Sequence, residues 1–235
     1  MNISFYTILK NLCLMPLFFC MASGAPVYAA DNAGQVEGIK GTAWAQLPGA
    51  ESRKLEKGSP IFQSDIIKTE KDSAVQLLFN DQTKFFLGAD TEMSIDKFNN
   101  QGTADEKGFT SSVVKGTFRF ITGLIARERP DSMEVNTSVA TIGVRGTHVV
   151  AEADATSATI ILMEPEDTAA RTSIEVSNQY GKVIIDEPGY GTEVPDQFSP
   201  PSPPRRMRLE TINNLMRSMQ SIQRINIPRP RPQMP

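Results

Sequence analysis

The residue types most able to do chemistry are gathered in Ile142-Gly143-Val144-Arg145-Gly146-Thr147-His148. Gly143 and Gly146 bracket Arg145. Glycine permits positive φ or a close backbone approach, so a strand can bulge at such a place. This spacing predicts that Arg145 turns inward to pair with an acid of the body; the other use of its fork is to hold a ligand carboxylate or phosphate bidentately. His148 is the sole histidine, so any Ser-His-Asp arrangement would depend on it alone. Thr147 and His148 are strand neighbours and point to opposite faces, which makes a dyad of the two geometrically poor. The paired carboxylates Glu164 and Glu166, and Asp186 and Glu187, fall in expected turns. Glu164-Pro-Glu-Asp167 lacks the glycine and ligand spacing of a cation loop and reads as a solvated turn. The chain has no phosphate loop, no Gly-x-Ser-x-Gly elbow and no zinc spacing. These residues predict a protein without catalytic activity, metal or cofactor.

The elements that must position this cluster read as short strands. Residues 31–194 alternate apolar and polar positions, with turn signals about every ten residues. Strands are expected at 34–46, 73–79, 83–87, 93–95, 117–121, 140–152, 158–163, 172–176 and 182–185. Asn80-Asp81-Gln82 is a tight turn, because Asn and Asp tolerate left-handed backbone and bond their own main chain. No window of the body carries a convincing helical period over a dozen residues. Gly-Thr recurs at 41, 102, 116, 146 and 191 with no fixed period, so a repeat array is not indicated. The expected fold is all-β, a short-strand sandwich, roll or solenoid-like domain, followed by a C-terminal amphipathic helix and a Pro-rich tail.

Both ends of the chain differ from this body. Residues 1–29 carry one charge, Lys10, then the apolar run 12–22 and small residues ending in Val27-Tyr28-Ala29. This is the pattern of a secretory signal peptide cleaved after Ala29, too short to span a bilayer. Cys13 and Cys20 leave with it, so the mature chain, beginning at Ala30, has no disulfide and no thiolate chemistry. From Ser199 onward there are seven arginines and one acid, Glu210, giving +6, while residues 30–198 carry −10. The expected division is 1–29 signal peptide, 30–198 β domain, 199–204 Pro-rich joint, 205–225 basic amphipathic helix and 226–235 Pro/Arg tail. Ser202 reads as the helix N-cap with proline in the first turn. Leu209, Ile212, Leu215, Met216, Met219 and Ile222 share one helical face. That face either packs on the β body or meets a lipid or protein partner. Arg205, Arg206, Arg208, Arg217 and Arg224 are the candidate interaction residues of this tail. They offer an anionic surface a partner, and the net charge of −3 argues against a nucleic acid.

Val135 to Thr147, ending in Ile142-Gly143-Val144-Arg145-Gly146-Thr147, resembles the signature of FecR-domain proteins. Leu55, Gly58, Ile61, Asp65, Ile67, Thr69, Ser73, Leu77 and Phe79 resemble the upstream part of that pattern, as does Gly116-Thr-Phe-Arg-Phe120. Asn80-Asp81-Gln82-Thr83 stands where the family often has Asp-Gly-Ser. The likeness runs from about 34 to 150, with a looser extension to 194. It implies an exported all-β domain. In the type protein this is the periplasmic part of an anti-sigma regulator, joined to a cytoplasmic sigma-binding segment and a transmembrane helix. Neither is read in this chain, so the expectation is a non-catalytic module of the periplasm or cell envelope that binds a protein or polysaccharide. The alternative implied by the family is a signalling regulator that cleaves itself at Gly146-Thr147, by attack of the threonine hydroxyl on the preceding carbonyl.

Overall fold

The computed structural model describes residues 31–165 and 172–220. The expected signal peptide, Ala30, both cysteines, Glu166, Asp167, Ile222, Arg224 and the 226–235 tail lie outside the described residues. The strands in chain order are β1 (Asn32–Lys40), β2 (Ala43–Gln46), β3 (Arg53–Lys54), β4 (Pro60–Phe62), β5 (Ile66–Thr69), β6 (Ala74–Phe79), β7 (Lys84–Leu87), β8 (Glu92–Asn99) and β9 (Gly108–Ile121). Then follow the short helix α1 (Leu124–Glu128), β10 (Met133–Thr137), β11 (Thr141–Arg145), β12 (His148–Ala153), β13 (Ala158–Met163), β14 (Ser173–Asn178), β15 (Gly181–Ile185), β16 (Tyr190–Val194), β17 (Arg205–Arg206) and the helix α2 (Leu209–Gln220).

These strands form two sheets that share β9. Sheet A runs β4-β1-β6-β7-β9-β12-β13-β16-β17 and is antiparallel throughout. Sheet B runs β3-β2-β5-β8-β9-β10-β11-β14-β15, with β9–β10 as its one parallel pair. Residues 108–115 of β9 belong to sheet B and residues 116–121 to sheet A. Gly116 marks the change, at φ +109, and a Cβ there would stand 2.2 Å from Thr91 Oγ1. The recurring Gly-Thr pairs thus acquire a meaning. Gly41, Gly116 and Gly146 have left-handed φ and stand where the chain passes from one sheet to the other.

The core lies between the sheets. Phe79, Phe85, Phe109, Phe118 and Phe120 are fully buried, and Phe79 meets Phe85, Phe98 and Phe109 at ring-centroid distances of 5.8, 5.5 and 4.6 Å. Truncating such a ring to alanine costs ~3–5 kcal/mol. The buried acids are satisfied. Asp65 takes the Arg53 guanidinium and the Phe62 N–H, and Asp81 accepts from the Thr83 N–H and hydroxyl at 3.0 and 2.7 Å.

A second apolar cluster lies outside the sandwich. The outward side chains of sheet A, Phe86, Ile121, Val150 and Ile161, are buried against Met207 and Leu215, with Ile212 and Met216 half-buried beside them. Arg119, in the same layer, places its guanidinium 3.9 Å from the centre of the Phe86 ring. So α2 and the residue leading into it cover this face. The approach to α2, the Pro-rich joint 199–204, is held in place. Asn178 Nδ2 donates to the Ser199 carbonyl at 2.8 Å, and the Thr192 hydroxyl donates to the Ser202 carbonyl at 2.7 Å. Ser202 does not cap the helix; its hydroxyl accepts the Glu193 N–H at 3.0 Å. Arg205 and Arg206 add a strand to β16, and α2 begins at Leu209 rather than 205.

Candidate functional site

The motif falls on a corner. β11 pairs with β10 and β14 in sheet B, and β12 pairs with β9 and β13 in sheet A. The run expected as one strand over 140–152 is two, and Gly146 turns the chain between them at φ +53. Ile142 and Val144 face the core and are buried, which puts Gly143 and Arg145 on the outer face of sheet B. Arg145 therefore does not turn inward, because the glycines make a corner and not a bulge. Its side chain is 63% exposed and stands 3.5 Å from Asp131, itself exposed. An exposed pair at that distance contributes little to stability.

Around Arg145 lies a groove of about 200 Å³ lined by Asp131, Glu134, Gly143, Arg145, Glu175 and Ile184, among others. Its floor is Gly143. Glu134 on β10 and Glu175 on β14 flank that glycine in register. Glu175 pairs with Lys182 at 3.3 Å. A Cβ on Gly143 would meet nothing closer than 3.8 Å, and its φ is ordinary, so neither space nor backbone demands a glycine there. The low floor instead leaves room on the surface. Asp131, Glu134 and Glu175 were not among the sequence candidates, although the alternation of Met133-Glu-Val-Asn-Thr137 places Glu134 outward.

Thr147 sits at the other side of the corner. It is 3% exposed; its N–H donates to Thr122 Oγ1 at 2.8 Å, and its carbonyl accepts the Thr122 N–H at 3.1 Å. Its own hydroxyl is buried without a hydrogen-bond partner among the described residues. His148 is half-buried, and its Nδ1 lies 3.1 Å from the Glu164 carbonyl. Among the described residues no three His, Cys, Asp or Glu side chains group to hold a metal ion.

The tail residues separate. Arg205 pairs with Glu193, while Arg206, Arg208 and Arg217 are exposed. Leu209 is 76% exposed, so the docked face is narrower than the sequence arc, and Met207 takes the place expected of it. No helix among the described residues is long and apolar enough to cross a membrane.

Residues 65–165, which contain the corner, both flanking strands and β9, match the family model of the FecR protein. This stretch is similar to the FecR family. The match begins at Asp65, so Leu55, Gly58 and Ile61 of the expected likeness fall outside it. Two crystal structures of a "putative anti-sigma factor" from Parabacteroides distasonis ATCC 8503 are similar to the chain, each at 15% identity and TM-score 0.49, covering 64% of this chain. The chain spans 64% and 63% of those two proteins. No curated protein matches it.

Proposed function

We propose that this FecR-like domain is a non-catalytic docking module whose partner, a protein of the cell envelope, binds the outer face of sheet B around Arg145 and Gly143. The supporting observation is the groove itself, floored by a glycine that the fold does not require and edged by Arg145, Asp131, Glu134 and Glu175. A side chain of the partner fills the groove, and the mixed charges at its edges set orientation more than affinity. The signal-like segment 1–29 supports action after export. The exposed Arg206, Arg208 and Arg217 support an added contact with an anionic surface, made by charge alone because the apolar side of α2 is spent on sheet A. The test passes an envelope extract over immobilised wild-type protein, Gly143→Trp and Arg145→Glu. A species retained by the wild type and lost by both variants is expected. Equal retention by all three, or retention of polysaccharide alone, refutes the reading.

A second reading, a regulator that processes itself at Gly146-Thr147, is favoured by one observation: a buried, unpartnered Thr147 hydroxyl beside a left-handed Gly146. The hydroxyl oxygen would add to the Gly146 carbonyl carbon and the Thr147 nitrogen would leave as an amine. Water would then cleave the ester, giving a Gly146 carboxylate and a new N-terminus at Thr147. Intact-mass spectrometry of wild type beside Thr147→Val decides it. Two fragments in the wild type alone support processing, and an intact mass in both excludes it.

A further inference from the structure

The groove ends at β15, and β15 is an open edge. The other outermost strands are short: β3 and β17 have two residues each and β4 has three. Edges blunted in that way resist further pairing. β15 has five residues and, among the described residues, pairs only with β14. Asn178 faces Gly181 across the two-residue turn Gln179-Tyr180. The pair closing such a turn exchanges both backbone bonds, and bonded and non-bonded pairs then alternate along the strands. Gly181, Val183 and Ile185 thus bond to β14, while the N–H and C=O of Lys182, Ile184 and Asp186 point to the unpaired side. No hydrogen bond joins those groups to any other described residue.

The same three residues show their side chains on the outer face. Lys182, Ile184 and Asp186 are exposed, Ile184 at 58%, whereas Ile185 is buried and Val183 packs against the core. Lys-x-Ile-x-Asp is its own complement when read antiparallel. Centred on Ile184, the pairing sets Lys182 opposite the second copy's Asp186, Ile184 opposite Ile184, and Asp186 opposite Lys182. Cross-strand pairs of opposite charge and of apolar residues stabilise a ladder, and the twofold arrangement closes so that no further copy adds.

We propose that the chain forms a symmetric dimer by antiparallel pairing of β15 with β15 of a second copy, joining two copies of sheet B into one. The charge pattern fixes this register. A shift by one residue in either direction would set a residue bonding outward against one whose bonding groups face β14, and the ladder would be lost. In the joined sheet the two grooves lie on one face, side by side about the Ile184 pair. The contact area is small, so the dimer is held in the micromolar range or weaker.

Sedimentation velocity of the purified chain, from a few to several hundred micromolar, tests this. The wild type should shift from monomer to dimer across that range. Lys182→Asp and Asp186→Lys should each weaken dimerisation by roughly tenfold or more, since each sets like charges opposite one another twice. Mixed in equal amounts, these two variants should form a heterodimer, because every facing pair is then opposite in charge. Ile184→Pro should also be monomeric; the N–H it removes points to the open side, so the bonds to β14 are kept. Thermal melts show that each variant is folded. A wild type that stays monomeric throughout, variants that dimerise as well as it does, or folded single variants that fail to combine would each overturn the proposal.

Discussion

The two outer faces of the sandwich are made differently. That of sheet A is apolar and covered: Phe86, Val150 and Ile161 lie under Met207 and Leu215. That of sheet B is polar and bare, carrying Glu134, Arg145, Glu175 and Lys182 around the low floor at Gly143. The strands record the difference. β13 is Ala-Thr-Ile-Ile-Leu-Met, a nearly continuous apolar run, as expected of a strand buried on both faces. β11 and β14 alternate, with Ile142, Val144, Ile174 and Val176 inside and Gly143, Arg145, Ser173 and Glu175 outside. One face is covered by the chain's own helix, and among the described residues the other is not.

The largest effect expected from this contrast comes from removing the cover. Deleting residues 203–235 strips Met207 and Leu215 from sheet A. Each fully buried side chain of this size contributes ~1.5–3 kcal/mol. The loss should reach about 3–6 kcal/mol, a fall in melting temperature on the order of 10 °C. The truncated chain should also bind a hydrophobic dye that the whole chain excludes. An unchanged melt would mean that the two faces do not differ in the way described. Leu215→Ala should show a smaller loss, about 2–3 kcal/mol, by denaturant titration.

The next effect sharpens the contrast within the motif. Gly146→Ala forces a Cβ into left-handed backbone at φ +53 and should cost roughly 1–2 kcal/mol. Gly143→Ala meets open space and should be neutral or stabilising by up to about 1 kcal/mol. If Gly143→Ala were the more damaging of the two, the groove would be structural rather than a docking surface.

The smallest effect is in acid. The Thr156 N–H, the Ser157 hydroxyl and the Ser157 N–H hold Asp154 down to about 2, below the ordinary carboxylate value of 3.8. Glu106 and Asp196 are lowered too, first by the N–H groups of Thr103 and Phe198. These groups bind protons more readily unfolded, so their support is complete above about pH 4 and fades as pH falls toward 2. Asp154→Asn should flatten the stability profile within that window and leave neutral pH nearly unchanged. An unaltered acid limb would refute the assignment.

Much of this architecture was legible in the chain, because burial imprints a period. The alternation of β6, the apolar run of β13 and the Asn80-Asp81-Gln82 turn all stand where the pattern put them. The family motif was legible as well. Its geometry was not, since a bulge and a corner ask the same glycine of Gly146, and only the partners of the flanking strands distinguish them. Those partners lie far along the chain and leave no local mark. For the same reason, the bond between Thr147 and Thr122 and the meeting of Asp131 with Arg145 could not be foreseen. The strands β4, β5 and β16 are short or interrupted by polar residues and gave too little period to register. In the tail, the helical arc was visible, but the burial of Met207, which precedes the helix, depends on the close passage that Gly191 allows: a Cβ there would lie 2.9 Å from the Met207 side chain.

The division of β9 between the two sheets also governs the order of assembly. Its first half lies between β8 and β10, and its second half between β7 and β12. As the chain emerges N-terminus first, β1 to β8 can associate, yet the later strands find no template until β9 is laid down. From then on, one strand offers two open sides, one in each sheet, and β10 and β12, with β11 between them in the chain, join them. The later strands of both sheets therefore grow from a shared seam. A change at Gly116, where β9 passes between the sheets, should halt the second half of the molecule while the first half still forms, leaving an arrested intermediate rather than a uniformly weakened protein.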